Sequence, residues 1–153
     1  MELAVFERHG GDIRYNSAVM GLITEDGRVT GVNVGDETLH ADAVILACGG
    51  FEANAALRHD LMGGNWEKAK VRGTPNNTGD GLVMAHGLGA AKYGLYPNCH
   101  ATPMDLHMPD FANLDLPAGD RKNYRKTCYF LGVMLNANGD RFVDEGENFR
   151  NYT

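Results

Sequence analysis

Apolar and polar positions along the chain change rhythm several times, and each change predicts an element. Residues 2–9 read as the tail of a helix, closed by Gly10 and Gly11 at the C-cap, where a left-handed residue ends a helix. From Asp12 the rhythm becomes that of strands. Ile13 and Tyr15 alternate with polar neighbours, residues 19–23 are mostly apolar, and residues 29–34 alternate again. Glu25-Asp26-Gly27-Arg28 and Gly35-Asp36-Glu37 supply the turns between them, with glycine available for positive φ. Residues 39–41 lead into residues 43–47, Ala-Val-Ile-Leu-Ala, which are apolar on both faces. That pattern suits a buried strand of a parallel sheet better than an edge strand.

The apolar run stops at Cys48-Gly49-Gly50. A helix is expected over residues 52–62, with Leu57 and Leu61 four apart and Gly63-Gly64 as the stop. Residues 66–77 carry no clear period. A second helix should begin near Thr78 or Asp80 and run to about Ala91, with Met84, Leu88 and Ala91 on one face. Residues 93–126 are loop-rich and contain Pro97, Pro103, Pro109 and Pro117. Residues 129–135 and 140–143 then flank Asn136-Ala137-Asn138-Gly139, a good hairpin turn. A chain that opens in a helix tail, and whose buried-type strand lacks βαβ partners, reads as an internal piece of a larger protein.

Composition narrows the class. With 43% hydrophobic and 22% charged residues, the chain has the balance of an ordinary globular domain. A net charge of −6 argues against a nucleic-acid partner, which needs a basic stripe to replace phosphate counterions. The loose cluster Arg121, Lys122, Arg125 and Lys126 reads as a solvated loop. Cys48, Cys99 and Cys128 are an odd number without framework spacing, so a reduced, cytoplasmic setting is expected. No apolar run reaches the ~18 residues of a membrane span, and the N-terminus lacks the form of a signal peptide.

Four stretches could carry chemistry. The run ending in Cys48-Gly49-Gly50 would let a ligand lie against the backbone, or is simply a strand followed by a turn. Asn77-Thr78-Gly79-Asp80-Gly81 precedes a helix, where free N–H groups favour an anion and Thr78 or Asp80 would equally serve as the N-cap. His100 and Thr102 sit two apart in a Pro-bounded loop and could bind a carboxylate. A zinc site from Cys99, His100, Asp105 and His107 lacks the second ligand pair such sites use. Asp144, Glu145 and Arg150 come after the hairpin; an Arg could move a proton only with strong help from its surroundings.

In their order and spacing, Gly27-Arg28-Val29-Thr30-Gly31-Val32, residues 43–51, Thr78-Gly79-Asp80-Gly81, His100-Ala101-Thr102, and residues 136–145 with Arg150 resemble the fumarate reductase/succinate dehydrogenase flavoprotein family. Within it, Lys70-Val71-Arg72-Gly73-Thr74 and the stretch around Phe142 to Thr153 are most similar to tricarballylate dehydrogenases. The resemblance implies an α+β fragment joining the end of a Rossmann-like FAD-binding domain (residues 1–50) to an incomplete capping domain (residues 51–153). It implies FAD as cofactor, bound weakly or not at all by this segment alone. Val19, Ala47, Cys48, Gly49, Gly50, Thr78, Gly79, Asp80 and Gly81 match cofactor-binding positions, with Cys48 in place of a usual Thr. His100 and Thr102 match substrate-binding positions, with Ala101 in place of a Pro. Arg150, with Glu145, matches the catalytic position that handles the proton.

The same resemblance implies a parent enzyme that oxidises a polycarboxylate such as tricarballylate and passes electrons to an iron–sulfur partner at the membrane face. The Thr-Glu-x-x-Arg relay of fumarate reductases is absent from Tyr124-Arg125-Lys126-Thr127-Cys128. The flavoprotein half of a precorrin-3B synthase and a non-catalytic interaction domain are the alternatives. Open strand edges also lead one to expect self-association.

Overall fold

A computed structural model describes residues 2–99, 102–111 and 116–147. The chain divides into two compact units, Met1–Ala47 and Cys48–Thr153.

In the first unit, helix α1 (Glu2–Arg8) ends as its glycines require. Gly10 takes φ +80° and donates to Glu7 O, while Gly11 N–H reaches back to Phe6 O; together these bonds satisfy carbonyls the helix leaves open. Strands β1 (Val19–Glu25), β2 (Arg28–Val34) and β3 (Glu37–His40) form an antiparallel sheet in the order β1-β2-β3. The β1–β2 turn places Asp26 at φ +49° and Gly27 at φ +76°, the paired positive angles of a type I′ hairpin. Glu25 therefore faces Arg28, and Val34 faces Glu37 across the next two-residue loop. Bulges lie between Val19 and Gly21 and between Ile23 and Thr24.

Two strand expectations fail in this unit. Ile13 and Tyr15 lie in a non-repetitive stretch where Ser17 Oγ donates to Tyr15 O and Asn16 takes φ +54°. Residues 43–47 form no strand, and Ile45 is 89% exposed. The ladder ends with Ala41 N–H donating to Thr30 O, and no strand among the described residues pairs with residues 43–47. An apolar run becomes a buried strand only when neighbours accept its backbone bonds. The sheet present is antiparallel, not the parallel type that run predicts.

In the second unit, helix α2 spans Ala55–Met62, and helix α3 spans Asp80–Gly87. The first starts later than expected because Asn54 caps it, its side-chain oxygen accepting from Leu57 N at 3.1 Å. The second stops four residues early. Gly89 at φ +88° donates to His86 O and Ala90 N–H reaches Ala85 O, a Schellman ending that turns the chain away before Ala91. Short 3-10 turns occupy Trp66–Lys68, Ala118–Asp120 and Tyr129–Leu131. The turn at residues 136–139 forms as expected: Asn136 accepts from Asn138 N and Asp140 N through its side chain, and Gly139 takes φ +85°. The strands expected to flank it shrink to one bridge, Leu135 with Arg141.

The packed centre of this unit is small. Among the described residues, Val71, bridged to Phe111, and Met108 are the buried apolar side chains, joined by buried Arg58 and Glu145. Among the described residues, then, much of the order rests on polar side chains that tie loops together. Asn54 is one of them, because its Nδ2 also donates to Thr78 O at 3.0 Å. Asn54→Ala should lower the urea unfolding midpoint by an amount equivalent to about 1–2 kcal/mol. Asn54→Asp, which keeps the cap oxygen and loses the Nδ2 donor, should recover part of that loss.

Candidate functional site

Two glycine-bearing segments distant in sequence meet at the start of the second unit. Ala53 N–H donates to Asn77 O at 2.9 Å, Asn77 Nδ2 to Glu52 Oε1 at 2.5 Å, and Asn54 Nδ2 to Thr78 O. These bonds tie residues 52–54 to Asn77 and Thr78, and Gly49 lies beside the Asn77 side chain. The approach leaves no room for side chains. A Cβ on Gly79 would lie 2.7 Å from Leu57 Cδ1 and 2.8 Å from Phe51 Cβ, and φ there is +84°. A Cβ on Gly49, at φ +79°, would lie 2.5 Å from Asn77 Oδ1. Both positions need glycine, for conformation and for space.

Helix α3 begins at this junction. Its N-cap is Gly79, with no side-chain cap, in place of the Thr78 or Asp80 cap expected from sequence. The physical reason is local: Thr78 Oγ donates to Asp80 Oδ2 at 2.9 Å, so the two candidate caps engage each other. The first-turn N–H groups are thus not met by a capping side chain, and Gly81 is buried among them. Cys48, Gly49 and Gly50 are exposed. Residues 48–50 thus present exposed small-residue backbone that a flat or anionic part of a cofactor can approach, whereas Gly79 and Gly81 are buried against the protein itself.

Next to Gly50 opens a cleft of about 890 Å³ with mostly apolar walls that include Phe51, Trp66, Leu95, Tyr96 and Met104. Phe51 and Tyr96 meet edge to face at 6.0 Å, and Tyr96 Oη lies 3.3 Å from His86 Nε2 on α3. Thr102 lines the same cleft as Gly50. Cys99 also lines it, and burial pushes its thiol pKa up, away from the reactive thiolate. Val19 is 40% exposed on β1, and Ala47 is exposed at the end of the first unit. His100 and Arg150 lie outside the described residues.

Sequence reading missed Arg58, whose guanidinium shapes one wall of the cleft. It is 7% exposed and donates to Glu52 O at 2.5 Å, Trp66 O at 2.8 Å, Glu67 O at 2.9 Å and Ala69 O at 3.1 Å. The one signal in the sequence was helical spacing, since position 58 shares a face with Leu61 and Met62.

Glu145 is 4% exposed and sits under the hairpin, between Met134 and Arg141. Its Oε1 accepts from Met134 N at 2.5 Å, and its Oε2 from Arg141 Nε at 2.8 Å and Nη2 at 2.5 Å. Arg141, then the backbone N–H of Met134, pull its pKa down from 4.5 to about 2. A carboxyl depressed in the folded state adds stability that is complete above about pH 4.5 and is lost as pH falls through about 2. Unfolding midpoints followed downward from neutral pH should therefore decline in this window, and Glu145→Gln should remove that part of the decline.

The family described as "FAD binding domain" matches residues 3–152, covering both glycine segments and the cleft. The chain is 39% identical over 92 residues to a 3-oxosteroid 1-dehydrogenase of Mycolicibacterium smegmatis, covering 54% of this chain and 16% of the relative. It is 37% identical over 95 residues to the enzyme of the same name from Mycobacterium tuberculosis, covering 56% and 17%. A 4-oxocyclohexanecarboxylate 2-dehydrogenase of Sinomonas cyclohexanicum is 30% identical over 135 residues, covering 82% and 21%. The chain thus spans about a fifth or less of the length of these curated relatives. No solved structure matches it. With its glycine seat and a family match across nearly its whole length, the chain belongs to the FAD-binding family of fumarate reductase/succinate dehydrogenase-type flavoproteins.

Proposed function

We propose that this chain is the part of an FAD-dependent dehydrogenase that carries a stretch of the flavin seat and one wall of the substrate space. The juxtaposition of residues 48–50 with residues 77–81 supports this reading most directly. It gathers small residues, of which residues 48–50 are exposed, beside the start of α3, whose N-cap has no capping side chain. Gly49, Gly50, Thr78, Gly79, Asp80 and Gly81 would hold FAD from this unit, and Val19, Ala47 and Cys48 are further cofactor positions in the proposal. FAD when bound supplies a two-electron acceptor for hydride.

The chain's own residues would hold and orient. Asn54 fixes the seat by gripping Thr78 O, and Arg58 fixes the adjacent cleft wall. Thr102 and His100 would bind the substrate, and Arg150 would move the proton that accompanies hydride loss. Glu145, ionised and saturated with donors, would act by positioning the hairpin near Arg150 in sequence, not by exchanging protons itself.

For the substrate, the apolar cleft supports an oxo-substituted ring, the class named in the relatives, over an open-chain polycarboxylate such as tricarballylate. One of those named compounds also carries a carboxylate on its ring. Full-length protein should be yellow with flavin, and anaerobic addition of a ring ketone should bleach its visible absorbance. Arg150→Gln should keep the flavin and block the bleaching. A protein that takes up no flavin at saturating FAD would overturn the dehydrogenase reading. Bleaching by tricarballylate but not by ring ketones would overturn the substrate class alone.

A further inference from the structure

Tyr96 stands apart from the segment that carries it. Every residue from Gly87 to Leu95 is exposed, Tyr93 at 97% and Leu95 at 72%, whereas Tyr96 is half-buried. Among the described residues, no helix or strand includes positions 90–98. The main-chain bonds of that run are Ala90 N–H to Ala85 O at its start and a turn closed by Asn98 N–H to Leu95 O, both at 3.0 Å. The Tyr96 side chain supplies what the backbone does not. Its Oη and His86 Nε2 share a hydrogen bond at 3.3 Å, and its ring meets His86 at 6.4 Å and Phe51 at 6.0 Å, both edge to face. Those two partners belong to the two glycine segments. Phe51 follows Gly50 and packs on Gly79, where a Cβ would lie 2.8 Å from Phe51 Cβ. His86 lies in the last turn of α3, the helix that Gly79 caps. Beyond Tyr96 the chain continues directly into Asn98, Cys99 and Thr102, which line the cleft.

We propose that Tyr96, fastened by His86, is the positioning residue that docks the cleft residues Asn98, Cys99 and Thr102 onto the part of the unit that carries the glycine segments. This role rests on the dehydrogenase reading above, in which Thr102 contacts the substrate. A run with few main-chain bonds opens locally at small cost, so one side-chain anchor decides how often it is docked. Pro97 stiffens the link between anchor and cleft, because its ring fixes its own φ and restricts the backbone of Tyr96. A substrate that binds only the docked run loses apparent affinity in proportion to the docked fraction. The hydroxyl is the part of Tyr96 that matters most. A phenylalanine would fill the same space and keep the contact with Phe51, but it would lose the bond to α3.

The test compares full-length protein with its Tyr96→Phe, His86→Leu, double and His86→Gln variants. Turnover is followed on whichever of 4-oxocyclohexanecarboxylate and a 3-oxosteroid the parent oxidises. Tyr96→Phe and His86→Leu should each raise KM about fivefold, the effect of one net hydrogen bond, with kcat per bound flavin unchanged. A merely structural defect would instead lower the active fraction and leave KM alone. The double variant should be no worse than either single one, because both remove the same bond. His86→Gln, whose amide can still meet the hydroxyl, should recover most of the affinity. Without reference to flavin or turnover, trypsin should cut after Lys92 about fivefold faster in Tyr96→Phe and His86→Leu than in the parent. An unchanged KM in both single variants, a double variant that multiplies their effects, or unchanged cutting at Lys92 would each overturn the proposal while the parent's turnover upholds the dehydrogenase reading. A parent with neither flavin nor turnover would overturn that reading and the role in substrate binding with it, and the trypsin rates would still decide whether Tyr96 is the anchor.

Discussion

The second unit depends on what happens to the backbone carbonyls of a loop that has no sheet or helix to receive them. Residues 66–69 turn once in a 3-10 geometry and then run on without regular pairing. Arg58, reaching out from α2, collects three of their carbonyls and adds that of Glu52. Five donors in a rigid plane suit this task, and hydrogen bonds from a charged donor contribute about 1.5–3 kcal/mol each before desolvation is counted. The cost is a buried cation. A shorter or neutral side chain at this position would leave several carbonyls without partners and would let the cleft wall drift from α2.

The same economy of polar ties governs the glycine seat. Asn54 caps α2 with its oxygen and restrains Thr78 with its nitrogen, so one amide fixes both a helix start and the segment that enters α3. Gly79 completes the junction, because only a residue without Cβ can pass Phe51 and Leu57 at that distance with φ +84°. The seat and the cleft wall thus share α2 as their support, with Asn54 at its cap and Arg58 one turn later. Site geometry in this unit comes from directional bonds more than from a large apolar core.

Much was legible along the chain. The hairpin of β1 and β2 follows from Asp26-Gly27, the end of α1 from Gly10-Gly11, and the turn at residues 136–139 from Asn136 and Gly139. The two glycine segments were also legible as close-approach sites, though not their contact with each other. What could not be read were features set by partners far away in sequence. Thr78 and Asp80 both looked like caps, and only their mutual bond hands that position to Gly79. Arg58 looked like an ordinary helix residue, because the carbonyls it binds belong to a loop with no period of its own. Residues 43–47 carried the composition of a buried parallel strand, and composition does not supply the neighbouring backbone that makes one.

By itself, then, the sequence determined the local geometry: which glycines turn positive, where helices stop, and which order of motifs marks an FAD-binding flavoprotein. Those outcomes depend on steric limits and on hydrogen bonds within a few residues. Tertiary structure decided which segments meet. It placed Gly49 and residues 52–54 against Asn77 and Thr78, turned Arg58 inward, and buried Glu145 beneath the hairpin. Burial and charge matching are properties of groups brought together from distant positions, so no local pattern encodes them.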